Sequence, residues 1–185
     1  TNKTFVTVET VEELDGLPQA NLDAAAKMAE ANGQPGKYMF NMQRPSCNPV
    51  LQYCHNRELR EKVYNAYYNR GNTGNEYDNK EISRQIVTLR LKKANLMGYK
   101  NYAEMALKDR MAKTPEAVYN LLDQVWEPAV KKAKEELADI RAEIKKEGKN
   151  FEPAGWDYMY YLDKAKKAKF AVDEAEISKY LEINN

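Results

Sequence analysis

The sequence is short of the residues from which most catalytic and metal sites are built. It has one histidine, His55, and two cysteines, Cys47 and Cys54. A single histidine excludes an HExxH zinc motif within these 185 residues. Two cysteines do not make a disulfide framework and fit a reducing compartment. Neither sign of charge is in excess: 29 Lys and Arg stand against 28 Asp and Glu, a net of +1. Nucleic-acid-binding domains usually carry a clear basic excess, so nucleic acid is not an expected partner. No apolar run approaches the roughly 20 residues of a membrane helix, so no spanning segment is expected and no membrane partner. The first residues, TNKTFVTVE, offer neither an initiator Met nor an apolar signal core, and the last, YLEINN, form no polar tail. Both ends read as cut from a longer chain.

What is present is enough for a core. Apolar residues make up 43% of the chain and charged residues 31%, with a mean hydropathy of −0.81. That balance describes a folded body with a heavily charged surface. Lys3 to Val8 reads as a short strand, and Thr10 with Glu13 as a capping box for one turn ending near Gly16. Pro18 opens a helix that Gly33 closes. KYMFNMQ places Tyr38, Phe40 and Met42 on one face at period two, a strand ended by Pro45 and Pro49. From there the pattern is helical. Leu59, Val63, Ala66 and Arg70 share a face up to Gly71. Asp78 with Glu81 forms a second capping box, opening a helix whose Ile82, Ile86, Leu89 and Leu96 should face inward before Gly98. A short helix from Asn101 to Lys108 follows.

Thr114 and Pro115 supply the N-cap and first-turn proline of the longest helix. Its stripe runs Val118, Leu121, Leu122, Val125, Ala129, Ala133, Leu137, Ile140 and Ile144, ending at Gly148. Pro128, inside it, predicts a kink. Helices over 157–170 and 173–180 complete the chain. The expected fold is mainly α, with one or two short strands near the N-terminus: residues 1–45 mixed, residues 46–185 helical, all one segment.

Three stretches invite a chemical reading. NRGNTGNEYDN, residues 69–79, has two glycines among small polar residues. A P-loop requires GxxxxGK[ST] after a strand, and this loop has no such lysine and follows a helix. GNTG matches the GxxG clamp of KH domains, but their three-stranded sheet is missing. A glycine helix stop, a polar reversal and an aspartate helix start account for every residue. Cys47, Cys54 and His55 supply at most three ligands, two of them adjacent, whereas structural zinc takes four in a tetrahedron. They read as two semi-buried thiols and a surface histidine. AGWDYMYYLDKAKKAKF sets tyrosines beside an acid, a pattern that suits either core packing or the lining of a peptide channel.

The order of several stretches adds a family likeness. They are LDGLP (14–18), GKYMFNMQRPSCNPVLQYC (36–54), NRELREKVYNAYYNRG (56–71), NEYDNKEISRQIVTLRLKKANLMGYKNYAEMAL (75–107), MAKTPEAVYNLL (111–122) and WDYMYYLDKAKKAKFAVDEAEISKYLEI (156–183). Taken in sequence this resembles the thimet oligopeptidase family of zinc metallopeptidases, and most closely its bacterial peptidyl-dipeptidase branch. The resemblance implies a helical lobe of a two-lobed, neurolysin-like enzyme around a narrow channel, acting on oligopeptides and releasing C-terminal dipeptides. It implies zinc in the parent enzyme, held by HExxH and a later glutamate, with the chain stopping upstream of that motif. No metal ligand and no catalytic residue is therefore expected in this segment, which would be inactive alone, with the rest of its own chain as packing partner. Arg70, Asp157, Tyr160 and Tyr161 are the candidates for a substrate-channel wall. The family occurs in cytoplasm and periplasm, with the cytoplasm favoured here. The alternative is a free-standing helical module that binds a partner through an exposed apolar patch.

Overall fold

Val6 and Val8 alternate with polar or half-buried neighbours, and that period-two pattern sets the entry to the fold. In the computed structural model, which describes residues 4–170, β1 (Phe5–Val8) pairs antiparallel with β2 (Tyr38–Asn41). The register sets Val6 opposite Phe40 and Val8 opposite Tyr38. Both valines and Phe40 are buried, so one face of this two-stranded ribbon is core. Met39, on the other face, is buried as well.

Seven helices are described: α1 (Gln19–Ala31), α2 (Arg44–Tyr53), α3 (Arg57–Tyr68), α4 (Lys80–Leu96), α5 (Tyr102–Leu107), α6 (Pro115–Lys146) and α7 (Gly155–Phe170). The mainly α expectation holds, with two short strands at the start. The expected helix over 173–180 lies outside the described residues.

Helix α2 is an addition to the sequence reading, in which Pro45 and Pro49 ended a strand and opened nothing. Pro45 sits in the first turn, where its missing N–H has no intrahelical partner to lose. Pro49 lies inside and forfeits one bond, which burial of Cys47, Val50 and Leu51 outweighs. Thr10 caps nothing in the structure. The turn is a 3-10 helix over Glu12–Leu14, preceded by Val11, with the Leu14 amide on the Val11 carbonyl at 2.9 Å. Gly16 stops it at φ +92°, where an added Cβ would meet the Tyr53 carbonyl at 2.3 Å. Only glycine fits there.

Among the described residues, those up to Asn69 together with those from Glu136 form one compact unit, and Arg70–Glu135 form another. In the first, Val6, Leu14, Phe40, Val50, Cys54 and Val63 belong to one apolar cluster that joins the ribbon to α2 and α3. A second cluster there unites Ile140 and Ile144 of α6 with Tyr160 and Tyr161 of α7.

The second unit corrects the expected inward stripes. Ile82, Ile86, Leu89 and Leu96 of α4 are exposed, as are Leu121, Leu122 and Val125 of α6; of the α6 stripe only Ile140 and Ile144 are buried. Amphipathic periodicity marks a face suited to burial, and burial needs an opposing surface, which the described residues do not provide for these exposed side chains. Helix α6 continues through Pro128. Thr114 caps it as expected, its hydroxyl accepting from the Ala117 amide at 3.2 Å.

The polar reversal before α4 is built differently from a capping box. The Asp78 carboxylate accepts from the Lys80 and Gly74 amides at 2.9 and 2.8 Å. Glu81 instead pairs with Arg84 and Gln85 one turn on. Gly71 and Gly74 take left-handed conformations at φ +74° and +67°. The amides that a phosphate would need are thus already satisfied: Gly74 by Asp78, and Tyr77 by Asn75.

Candidate functional site

A set of charged and aromatic groups lies within the first unit, where α3 meets the start of α7. RELR places Arg57 and Arg60 three residues apart, and so on one side of α3. Asp157 is the third residue of α7, and its carboxylate reaches back to the Ala154 amide at 3.0 Å. An acid in the first turn suits the positive end of the helix dipole. The Arg57 guanidinium donates to both Asp157 oxygens, from Nη2 at 2.8 Å and Nε at 3.0 and 3.2 Å. Arg60 donates from Nη2 at 3.1 Å.

Arg60 is held on every side. It is 1% exposed. Nη1 donates to the carbonyls of Cys54 and His55 at 2.8 and 3.2 Å, and Nε to that of Trp156 at 3.2 Å. The guanidinium lies 4.1 Å from the Tyr160 ring centre, and that of Arg57 lies 4.3 Å from Phe151. Such stacking on an aromatic face favours Arg over Lys. Burial pushes the Asp157 carboxyl up, but hydrogen bonds from Arg57, the Ala154 amide and Arg60 together hold it below the usual range. Asp157 is therefore an acceptor fixed in its ionised form, with all its capacity spent on structure.

A second acid completes the set. Glu147, just past α6, accepts from the Tyr161 hydroxyl at 3.0 Å, from Lys149 at 2.7 Å, and from Lys164. Burial raises its pKa, and these donors overcome that and hold it at about 2. Burial, then Glu147, push the Tyr161 hydroxyl upward. Tyr160 and Tyr161 meet edge to face, ring centres 5.0 Å apart.

Of the four sequence-named wall candidates, three thus come together. Asp157, Tyr160 and Tyr161 are all buried, joined through Arg60 and their mutual ring contact. Arg70 is exposed and belongs to the other unit. Arg57, Arg60, Glu147 and Phe151 were not anticipated. The signal for the arginines was RxxR on a helix face with Leu59 and Val63 beside it: a charge so near an apolar stripe is either snorkelling or paired. Beside this network, Tyr64, Tyr68, Tyr158 and Met159 line a surface hollow of about 400 Å³.

The thiols expected to be half-buried are fully buried. The Cys54 thiol donates to the Glu13 carbonyl at 3.5 Å, and burial pushes its pKa up, which leaves it inert. His55 Nδ1 lies 2.8 Å from the Asp15 carboxylate, on the surface. Among the described residues no three His, Cys, Asp or Glu are grouped so as to hold a metal ion. The described residues therefore do not fit the zinc that the family likeness implies, and no chemical step is assigned to them. Nor is any described helix long and apolar enough to cross a membrane.

The chain belongs to peptidase family M3, whose description it matches over residues 50–185. It is 36% identical to oligopeptidase A of Haemophilus influenzae over 181 residues, 96% of this chain and 26% of that protein. It is 31% identical to dipeptidyl carboxypeptidase of Escherichia coli over 177 residues, again 96% and 26%. Oligopeptidase A of Escherichia coli is 35% identical over 176 residues, covering 93% of this chain and 26% of the relative. The chain thus spans about a quarter of the length of the curated relatives it matches.

Proposed function

We propose that these residues form part of a zinc-dependent peptidase that hydrolyses short peptides and releases C-terminal dipeptides. The observation that supports it is the alignment of nearly the whole chain with a dipeptidyl carboxypeptidase, within a family of peptidases. In this reading the zinc ligands lie elsewhere in the polypeptide, in an HExxH motif and a later glutamate. A zinc ion held by those ligands would supply Lewis-acid chemistry for hydrolysis. This segment alone is inactive, and its role is to shape the lobe. Arg70, Asp157, Tyr160 and Tyr161 contribute to the wall of the substrate channel, Arg70 as an exposed residue and the other three as buried ones. The enzyme works in the cytoplasm or periplasm, with no nucleic acid as partner.

The test is cleavage by the full-length protein of an N-acylated tetrapeptide, with a free C-terminal carboxylate or with a C-terminal amide. Release of a dipeptide from the acid alone, lost on chelation and restored by zinc, is expected. Cleavage of the amide as well would assign the enzyme to internal cleavage. A zinc-loaded full-length protein that cleaves neither would remove the peptidase reading. It would leave the second one, a helical interaction module, which the exposed apolar residues of the second unit favour.

A further inference from the structure

Beside the Arg57–Asp157 pair the molecule has donors left over. Arg57 commits Nε and Nη2 to Asp157, and its Nη1 has no acceptor among the described residues. The guanidinium is fixed by that carboxylate at its edge and by Phe151 across its face at 4.3 Å, yet the side chain stays 38% exposed. Trp156 lies against it, its ring centre 5.5 Å from Cζ. The indole Nε1 is a buried donor that also lacks an acceptor among the described residues. Buried N–H groups are nearly always paired. This corner of the fold is short of an acceptor.

The same indole leads to the surface hollow of about 400 Å³. Its ring meets that of Tyr64 edge to face, centres 5.9 Å apart, and Tyr64 lines the hollow with Leu51, Tyr68, Pro153 and Met159. No lining residue carries a charge, in a chain where 31% of residues do. Arg57 and Tyr64 are seven residues apart in α3, hence on one side of it and about 10 Å apart along its axis. A fixed guanidinium with free N–H groups binds a carboxylate by charge-assisted hydrogen bonds. An uncharged hollow walled by aromatic rings takes an apolar group. A span of about 10 Å is the reach of roughly three extended residues.

We propose that Arg57 and the Tyr64 hollow form one binding site, for a carboxylate joined to an apolar group about 10 Å away. Arg57 Nη1 donates to the carboxylate, and the tyrosines pack the apolar group. Taking the natural ligand for the C-terminal end of a peptide rests on the peptidase proposal, whereas the site rests on the contacts alone. The test is calorimetry on the full-length protein, kept free of zinc, with N-acetyl-Phe-Ala-Ala, its C-terminal amide and N-acetyl-Ala-Ala-Ala. The acid that carries Phe should bind roughly tenfold more tightly than either of the others. Arg57→Gln should remove the preference for acid over amide, and Tyr64→Ala the preference for Phe over Ala. 8-Phenyloctanoate separates two sources of the same chemistry. Binding as tight as the peptide's makes the ligand a free apolar acid and weaker binding makes it a peptide end, and either outcome supports the site. Equal affinity for acid and amide, a preference that survives its own substitution, or no binding of any probe overturns the proposal. If a variant does not fold, modification of the unsubstituted protein by phenylglyoxal decides, read by peptide-resolved mass spectrometry. N-acetyl-Phe-Ala-Ala should slow the reaction of Arg57 roughly threefold or more, because a bound carboxylate occupies the guanidinium. An unchanged rate overturns the proposal. Peptide cleavage enters none of these readouts, so a failed peptidase assay leaves the site standing, and failed binding leaves the peptidase reading standing.

Discussion

Arg60 and Asp157, 97 residues apart in sequence, meet at 3.1 Å with side chains 1% and 0% exposed. Arg57, the second cation on the same carboxylate, is 38% exposed. The two arginines make the same ion pair with different amounts of water beside them, and that difference orders the cost of losing each.

Removing one partner of a buried pair costs about 3–5 kcal/mol, because the other charge is left desolvated. Arg60→Met should lower stability by about 3 kcal/mol, since Arg57 still faces the carboxylate. It also frees three backbone carbonyls, of Cys54, His55 and Trp156. Arg57→Met should cost about 1–2 kcal/mol, closer to an exposed pair. Urea unfolding checks this, and an equal or reversed order would show that Arg60 is not the anchor.

Acid should loosen the same unit. The Glu147 carboxyl is held at about 2 against an ordinary 4.5, and Asp157 is shifted in the same direction. Between those values the unfolded chain binds protons that the folded chain does not, so stability rises with pH there. The contribution is fully present above about pH 5 and is lost as pH falls towards 2. For Glu147 it is roughly 1–2 kcal/mol, given the half-exposed Lys149 among its partners. Glu147→Gln should destabilise at pH 7 and much less at pH 3. A gap that stays constant between those values would contradict the assignment.

Gly155→Ala should destabilise despite the usual preference of helices for alanine. A Cβ at this position would stand 2.3 Å from Tyr64 Oη and 2.4 Å from Cζ. Overpacking of this kind costs about 1–3 kcal/mol. Tyr64→Ala in the same chain should remove most of the penalty of the glycine substitution. A double-mutant cycle reads this directly, and an additive result would mean the contact is not the cause.

The glycine loop should respond to Asp78→Ala at two amides only. Gly74 and Lys80 donate to that carboxylate, so their hydrogen exchange should accelerate. Tyr77, which donates to Asn75, should keep its rate. Acceleration spread evenly over the loop would mean that Asp78 does not organise it locally.

Local signals in the sequence were legible wherever the deciding contact is also local. Thr114, Gly33, Gly71, Gly98 and Gly148 act within one turn, and they marked helix starts and stops correctly. Helix α2 escaped because proline propensity is a local penalty, and buried neighbours from other elements overrode it. The stripes of α4 and α6 were read correctly as apolar faces and wrongly as buried ones, because periodicity names a face and says nothing of its cover. Asp157 was noticed for its type, but its partners Arg57 and Arg60 lie about a hundred residues upstream. Pairings at that distance leave no spacing pattern in a single sequence. Arg70 had no local signature beyond a charge near a helix end.

The distance between Arg60 and its acid has a consequence for synthesis. At 5–20 residues per second, a ribosome needs roughly 5–20 s to travel from one to the other. Through that interval the nascent chain carries both guanidiniums with their carboxylate still unmade. Helix α3 cannot seal Arg60 away from water on its own, so its fastening waits for α7. The first unit is then completed from its far end: a polypeptide made from the N-terminus forward, whose lock is cut last.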